Sequence, residues 1–238
     1  MRMTIEQMAR AMNAMGEFES VRDLQIGKIR TDSRLVEAGD VFFAIVGRNM
    51  DGHTFAVDAA GRGAAAVVVH QIIPGLDTGA CPVLLVRDTL QALGCLAARW
   101  RRQTRASVVG ITGSAGKTTT KEILATILEQ IAPTGKNYKN FNNRLGLALS
   151  ILEFNGLERF WVLELGINET GEMWFGAQLA ELDPDEHSLC FFVRSDSFNV
   201  FQQARALAWI NNFSVSFELL DEHDPIMLGP DGDRIYTQ

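Results

Sequence analysis

The residues best suited to chemistry stand in GITGSAGKTTTKE, residues 110–122. Two glycines there let backbone N–H groups turn inward around an anion, and a helix that starts directly after them adds its positive N-terminal end. At this spacing Lys117 can reach the β- and γ-phosphates of a nucleotide, and the Thr118 hydroxyl can ligate Mg²⁺. The general phosphate-loop pattern has glycine where this chain has Ile111. The stretch therefore predicts a nucleotide-phosphate site with an unusual start, and a glycine-rich turn without a ligand is the alternative.

The elements around this loop are typical of a parallel-sheet nucleotide-binding domain. ASVVGIT predicts a strand over 106–112, and the helix is predicted from Lys117 to Gln130. NFNNRLGLALSILEF (140–154) predicts a second helix, and RFWVLELG (159–166) predicts another buried strand. This β-loop-α-α-β order is expected of a domain that binds ligands at the carboxyl ends of its strands.

The first hundred residues also alternate strands with helices. Buried strands are predicted for three apolar runs bounded by Gly, Pro or Asp, namely 40–47, 63–70 and 81–88. A helical segment between the first two begins at a cap formed by Asp51 or Thr54. A longer helix over 88–103 has apolar side chains on one face and a basic end. The sequence therefore predicts an α/β fold, with a small N-terminal domain over 1–103 and a phosphate-loop domain over 104–238.

Composition narrows the class of protein. The chain has 238 residues, 47% of them hydrophobic and 21% charged, which is ordinary for a globular protein. We expect no membrane insertion, since no apolar run approaches the length that spans a bilayer, and the N-terminus lacks the apolar core of a signal peptide. Three dispersed cysteines without a C-x-x-C pair fit a reducing cytoplasm. The net charge of −7, with no basic patch, predicts no nucleic-acid partner; oligomeric state is not predicted.

A resemblance to a known family rests on several motifs in order. TGSAGKTT (112–119) resembles the T-G-[ST]-x-G-K-[ST]-[ST] signature of the Mur ligases, the ATP-dependent amide-bond ligases that build the peptide of bacterial peptidoglycan. Three further stretches are similar to the branch of the family that adds D-alanyl-D-alanine: TTTKEILATIL (118–128), NFNNRLGLALSIL (140–152) and WVLELGINETGEM (161–173). Upstream, residues 31–69 resemble the family's UDP-sugar-binding domain. The resemblance covers about residues 28–177, and it implies that 104–238 is a partial central ATP-binding domain.

The resemblance implies that ATP and Mg²⁺ are cofactors, and it indicates which residues bind them. The implied nucleotide-binding residues are Thr112, Gly113, Ser114, Ala115, Gly116, Lys117, Thr118, Thr119, Asn142 and Asn143. Lys117 and Glu164 are the implied catalytic residues, and Thr118 and Glu164 the implied magnesium ligands. Glu164 ends a predicted strand, where parallel sheets bind ligands, although a solvated carboxylate is the alternative. An Asn-Asn pair is also typical of a helix cap. The alternative for one of the two asparagines is therefore that it caps the helix and does not contact the nucleotide.

The same resemblance predicts a substrate site in the first domain. It implies contacts with the UDP-sugar from two motifs: Thr31, Asp32, Ser33 and Arg34 in the first, and Asp51, Gly52 and His53 in the second. Arg34 could pair with a phosphate oxygen. Taken without the resemblance, TDSR is a common turn, and a lone histidine at 53 can simply cap the next helix.

The family's reaction explains these residue types. ATP phosphorylates the carboxylate of a UDP-N-acetylmuramoyl-peptide, and the amine of D-alanyl-D-alanine attacks the acyl phosphate. Both steps concentrate negative charge, which Lys117 and Mg²⁺ would stabilise. The resemblance also implies a histidine segment and a carbamylated lysine further along, but the last lysine of this chain is Lys139. We therefore expect a divergent tail from about residue 178 and little ligase activity from this chain alone. A truncated or frameshifted product, an incomplete gene prediction and a diverged binding protein are the open alternatives.

Three alternatives to a D-alanyl-D-alanine-adding chain remain at this stage. The first is the family branch that adds the third residue of the peptide, against which SAGKTTTKE argues. The second is a catalytically dead module that binds a nucleotide or UDP-sugar. The third is a generic phosphate-loop NTPase, which WVLELG disfavours because it offers Glu164 alone in place of an Asp-Glu pair.

Overall fold

The computed structural model describes residues 3–76, 79–112, 116–138 and 141–166, residues 202, 205 and 206, and the backbone of 188–194, 214–220, 226–228 and 233–235. The chain divides into two compact units. The first comprises Met1–Arg105 with Ala148–Leu157, and the second comprises Ala106–Leu147 with Glu158–Gln238. The predicted domains, 1–103 and 104–238, differ from these units in that the segment 148–157 belongs to the first unit.

A parallel four-stranded sheet forms the centre of the first unit. Its strands follow one another in chain order: β1 (Ile29–Arg30), β2 (Val41–Phe43), β3 (Ala66–Val69) and β4 (Val83–Leu85). Three α-helices accompany them: α1 (Ile5–Met12), α2 (Ala56–Gly61) and α3 (Thr89–Gln103). The three long apolar runs predicted as strands contain β2, β3 and β4, each shorter than its run.

The core of this unit follows from the composition of its strands and helices. Every residue of β2 and β3 is buried, as expected for apolar strands in a parallel sheet that is covered on both faces. Helix α3 begins at Asp88, whose carboxylate accepts a hydrogen bond from the Gln91 N–H at 2.7 Å. It buries the apolar face that the sequence predicts, and its Trp100 indole donates to the Phe154 carbonyl at 3.1 Å.

A second parallel sheet forms the centre of the other unit. The elements in chain order are β5 (Ser107–Ile111), α4 (Lys117–Glu129), β6 (Thr134–Lys136), α5 (Arg144–Glu153) and β7 (Phe160–Glu164). Of α5, only the residues before Ala148 belong to this unit. The strand order is β5-β7-β6, so the last strand lies between the other two. The predicted β-loop-α-α-β order was wrong in one respect, because it omitted β6. Strand β6 reads Thr-Gly-Lys and has no apolar side chain, so hydrophobic patterning cannot detect it.

Four more strands lie in the C-terminal part of the chain, where the sequence predicts a divergent tail. Strands β8 (Ser188–Arg194) and β9 (Ser214–Leu220) pair in parallel over seven residues. Strands β10 (Ile226–Leu228) and β11 (Asp233–Ile235) pair antiparallel. Across the residues that the structure describes, no helix is long and apolar enough to cross a membrane.

Candidate functional site

The carboxyl ends of β5 and β7 lie side by side at one edge of the second sheet. Ile111 and Glu164, the last residues of these strands, are directly paired in the parallel register. Ile111 is thus a strand residue, which accounts for its departure from the general loop pattern. Ligands of open parallel sheets bind at this edge. The fold therefore places Glu164 beside the start of the phosphate loop.

Helix α4 begins where the loop ends, and a glycine makes the turn possible. Gly116 has φ +72°, a left-handed conformation that residues with a Cβ rarely adopt, and no side chain caps the helix. The first turn therefore directs the positive end of the helix dipole toward the loop, where an anion would be stabilised. Lys117 is the first helical residue. Gly113, Ser114 and Ala115 were also predicted to bind the nucleotide, but they lie outside the described residues.

Glu164 binds two of the other residues that the sequence singled out, Thr118 and Asn142. Its side chain is only 2% exposed. One carboxylate oxygen accepts a hydrogen bond from the Thr118 hydroxyl at 2.8 Å, and the other accepts one from the Asn142 side-chain amide at 2.8 Å. A hydroxyl and a buried carboxylate thus lie together at the start of α4. Oxygen atoms of this kind are the protein ligands that Mg²⁺ takes in nucleotide sites.

The two neighbouring asparagines have different partners. Asn142 donates to Glu164, whereas the Asn143 side chain accepts a hydrogen bond from the Gly146 N–H at 2.8 Å at the start of α5. Asn143 is therefore placed as the helix cap that the Asn-Asn pattern allowed. Thr119, also predicted for the nucleotide, is exposed on the first turn of α4. A nucleotide contact from either residue stays a prediction.

Two buried residues of this site were missed by sequence reasoning. Asn137 is fully buried; its side chain accepts from the Glu164 N–H at 2.8 Å and donates to the Glu164 and Phe141 carbonyls at 3.1 and 2.8 Å. Lys121 is fully buried as well, and its ammonium donates to the Asn137 carbonyl at 2.9 Å. No signal marked Asn137, but Lys121 could have been noticed because it lies three residues after Thr118, on the same side of the helix.

The residues predicted to contact a UDP-sugar lie in the first unit, in two short helical turns. Asp32 caps the turn Ser33–Leu35 and also forms two hydrogen bonds with the Arg34 guanidinium, at 2.9 and 2.7 Å. These bonds lower the pKa of Asp32 to about 2. The Arg34 side chain is 80% exposed and can reach a ligand, whereas Ser33 is buried and its hydroxyl lowers the pKa of Asp58. Thr31 precedes this turn.

The second substrate motif is more closely packed. Asp51, not Thr54, caps the turn Gly52–Phe55 by accepting from the His53 N–H at 2.9 Å. His53 is buried; its Nδ1 lies 2.6 Å from an Asp51 carboxylate oxygen, and its Nε2 accepts from the His70 N–H at 3.1 Å. Both ring nitrogens are thus held by the protein. A Cβ at Gly52 would lie 2.7 Å from the Ile45 nitrogen, which explains the glycine. A UDP-sugar contact from these residues stays a prediction.

An orphaned polar atom supports a ligand in the second unit. The Thr112 hydroxyl, at the end of β5, is buried with no hydrogen-bond partner among the residues that the structure describes. Buried polar groups are rarely left unpaired, so a phosphate oxygen at this position would satisfy it. No group of three His, Cys, Asp or Glu side chains able to hold a metal occurs in the same part of the chain. The protein oxygens that Thr118 and Glu164 bring together could serve Mg²⁺, which usually retains several water and phosphate ligands. The fold thus defines a protein of the α/β class with parallel sheets, in which the predicted phosphate loop connects β5 to α4.

Comparison with known families identifies this class more closely. The Mur ligase family, catalytic domain, matches residues 25–101, and the Mur ligase middle domain matches residues 111–186. These matches confirm the resemblance read from the motifs, and the second extends to residue 186 rather than 177. The chain belongs to the Mur ligase family, of which it carries these two segments.

Curated relatives of the chain have one name in common. It is 37% identical over 159 residues to UDP-N-acetylmuramoyl-tripeptide–D-alanyl-D-alanine ligase of Synechocystis, covering 67% of this chain and 35% of the relative. It is 37% identical over 170 residues to the Escherichia coli K12 protein of the same name, covering 71% of this chain and 36% of the relative. The chain thus spans about a third of the length of the curated relatives it matches.

Solved structures of MurF share the fold. A crystal structure of MurF from Acinetobacter baumannii matches 98% of this chain and 55% of its own, with a TM-score of 0.74 and 26% identity. MurF of Thermotoga maritima in complex with ADP matches 85% of this chain and 52% of its own, with a TM-score of 0.64 and 24% identity. The predicted mixed α/β fold with parallel sheets is confirmed.

Proposed function

We propose that the chain provides the ATP and UDP-sugar sites of an ATP-dependent ligase that adds D-alanyl-D-alanine to UDP-N-acetylmuramoyl-tripeptide. The names of the curated relatives support this substrate pair. The dispersed cysteines support a cytoplasmic location. The observation that carries the proposal is the convergence of Thr118 and Asn142 on the buried Glu164 carboxylate at the start of α4.

The proposal gives each residue of the second unit a task. Thr112, Gly116 and the first turn of α4 bind phosphate oxygens, and Lys117 neutralises the charge that builds up on the transferred phosphoryl group. Thr118 and Glu164 hold Mg²⁺, and Asn142 orients the carboxylate. Bound MgATP supplies the phosphoryl group that converts the substrate carboxylate into a better electrophile for the incoming amine.

The first unit would hold the other substrate. Arg34 is exposed, and its planar guanidinium suits bidentate pairing with a diphosphate, which would compete with the pair that it forms with Asp32 at 2.9 and 2.7 Å. Ser33, Asp51 and His53 are occupied by contacts within the protein, so they would shape the site more than touch the ligand. The UDP-sugar would therefore depend on Arg34 most strongly among these residues.

One feature of the sequence favours a second candidate function. In this alternative the chain is a module that binds ATP and a UDP-sugar without joining substrates. Residues 140–238 contain no lysine, whereas the family resemblance implies a carbamylated lysine after the central helix region. We expect the 238-residue polypeptide to bind ATP in the presence of Mg²⁺ and to turn over slowly or not at all.

The test combines turnover with binding on the same 238-residue polypeptide. Phosphate release is measured with ATP, Mg²⁺, UDP-N-acetylmuramoyl-tripeptide and D-alanyl-D-alanine, and ATP affinity is measured by calorimetry. Lys117→Ala is the site variant. Lys136→Ala is its control, because Lys136 pairs with Glu122 at 2.6 Å away from the Thr118–Glu164 contact.

Each result separates the two candidates. Phosphate release that requires D-alanyl-D-alanine and disappears in Lys117→Ala supports the ligase. ATP binding without release, lost in Lys117→Ala and kept in Lys136→Ala, supports the binding module. ATP affinity that is the same in the Lys117→Ala variant contradicts both, because neither explains the loop without a phosphate contact from Lys117.

A further inference from the structure

A buried lysine lies directly beneath the candidate magnesium site. Lys121 is on the second turn of α4 and has no exposed side-chain surface. Its ammonium donates to the Asn137 carbonyl at 2.9 Å, lies 3.9 Å from a Glu164 carboxylate oxygen, and lies 3.3 Å from a carboxylate oxygen of Glu122. The site proposed above assigns this charge no task.

Packing alone does not account for a lysine at this position. Taking an ammonium out of water costs several kcal/mol unless charges and hydrogen bonds compensate it, and an apolar side chain of similar volume would fill the same space at lower cost. Glu122 is half exposed and also pairs with Lys136 at 2.6 Å, so it does not require a second, buried cation. In the contacts with Asn137 and Glu164, by contrast, both Lys121 and its partner are buried.

These two partners form the frame of the site. Asn137 bonds to the backbone of Glu164 on both its N–H and its carbonyl, and to the Phe141 carbonyl next to Asn142. Lys121 therefore ties helix α4 to the loop after β6, and it places a positive charge beside the Glu164 oxygen that Thr118 also binds.

We propose that Lys121 is a positioning residue, which holds the Glu164 carboxylate and Asn137 in the arrangement that binds Mg²⁺ with the nucleotide. The proposal rests on the function proposed above. Lys121 touches neither nucleotide nor metal. Its effect is to hold the buried carboxylate oriented toward the start of α4, so that little reordering is needed when the metal arrives.

The experiment measures how much Mg²⁺ strengthens ATP binding to the 238-residue chain. The magnesium enhancement is the ATP dissociation constant in EDTA divided by that in excess Mg²⁺, determined by calorimetry. Lys121→Met should lower this ratio at least tenfold. Lys136→Met, which loses a lysine paired with the same Glu122, should leave it unchanged, and Lys121→Arg should restore a substantial part. If Lys121→Met does not fold, Lys121→Gln takes its place.

A second measurement works without metal or nucleotide. Urea unfolding of Lys121→Met, Glu164→Gln and the double variant forms a double-mutant cycle, with Lys136→Met and Glu164→Gln as the matched control cycle. We expect the double variant of the first cycle to lose less stability than the two single variants combined, and the control cycle to be additive. Additive losses in the first cycle would overturn the proposal.

The outcomes distinguish this proposal from the proposed function. An enhancement that is unchanged or larger in Lys121→Met would overturn the positioning role while leaving ATP binding intact. An equal fall in Lys136→Met would assign the loss to Glu122 and overturn it as well. If the unsubstituted chain shows no magnesium enhancement, the proposed function fails, and the urea cycles alone then decide whether Lys121 positions Glu164.

Discussion

Asn137 holds together two segments that are far apart in the sequence. Its side chain bridges the end of β7 and the loop before α5 with three hydrogen bonds, and it has no contact with solvent. The two bonds to the Glu164 backbone, at its N–H and its carbonyl, are fully buried. Leaving a buried donor or acceptor unsatisfied costs about 1–3 kcal/mol.

We expect Asn137→Ala to lower the free energy of unfolding by about 3 kcal/mol, because three backbone groups lose their partner together. Urea denaturation measures this change. Asn155→Ala is the matched control: Asn155 is exposed and its side chain accepts from the Leu157 N–H at 2.7 Å, so its loss should cost less than about 1 kcal/mol. Equal losses in the two variants would contradict a framing role for Asn137.

The cysteines of the first unit provide a second prediction at the level of single residues. Cys81 is buried and its thiol donates to the Ala64 carbonyl at 3.3 Å, and burial raises its pKa to about 11. Cys95 is exposed on α3. Because the thiolate is the reactive form, Cys81 should be almost inert at pH 8, where roughly one thiol in a thousand is ionised at that pKa.

A short pulse of iodoacetamide at pH 8, followed by peptide mapping, should therefore label Cys95 and leave Cys81 unmodified. Labelling of Cys81 should increase as the pH rises toward 11, because its thiolate fraction then grows. Labelling in urea is the positive control for both. Rapid modification of Cys81 at pH 8 in the folded protein would show that its site is open to solvent.

At the level of elements, the contact between helix α5 and the loop before it depends on a residue without a side chain. A Cβ at Gly146 would lie 2.7 Å from the Phe141 Cα, closer than two carbon atoms can approach. Phe141 directly precedes Asn142, whose amide binds Glu164. The glycine therefore allows the helix to begin close enough for Asn142 to reach the carboxylate.

We expect Gly146→Ala to destabilise the fold by about 1–3 kcal/mol, the usual cost of overpacking, and to weaken ATP binding in Mg²⁺ by displacing Asn142. Urea unfolding and calorimetry measure the two effects. Gly61→Ala is the control, since Gly61 ends α2 and a Cβ there meets nothing within 4 Å. That variant should be neutral or more stable by up to about 1 kcal/mol. A neutral Gly146→Ala would contradict the close approach.

At the level of the whole molecule, the chain consists of two units that each carry one predicted site. The phosphate loop and Glu164 belong to the second unit, and Arg34 belongs to the first. A ligand that binds only the folded protein raises the free energy of unfolding by an amount set by the ratio of the ligand concentration to its dissociation constant. The increase is about 2.7 kcal/mol when the ligand concentration is a hundred times the dissociation constant. The two sites can therefore be tested separately by thermal unfolding.

We expect MgATP and UDP-N-acetylmuramoyl-tripeptide each to raise the thermal midpoint of the 238-residue chain. Lys117→Ala should abolish the shift with MgATP and keep the shift with the UDP-sugar, and Arg34→Ala should do the reverse. Each variant thus serves as the control for the other. Loss of both shifts in one variant would mean that the substitution unfolds the chain or that the sites are not assigned to separate units.

Part of the candidate site could be predicted from the sequence, and part could not. Thr118 and Glu164 are 46 residues apart, yet both could be named because a loop motif and a strand end are local patterns. Asn137 could not, because its importance arises from burial and from partners on other elements, and only its spacing from Thr118 on the helix marks Lys121. For the same reason β6 escaped prediction: its three residues become a strand only by pairing with the adjacent β7.

The sequence by itself determined the alternation of strands and helices, the start of α4 at Lys117 and the Asp51 cap, since periodicity and capping are encoded within a few residues. Only the tertiary structure decided that β7 lies between β5 and β6, that Asn142 reaches Glu164 while Asn143 caps α5, and that Lys121 is buried beside them. These outcomes depend on which distant groups become neighbours, because removing a polar group from water is tolerated only where another segment supplies its partner.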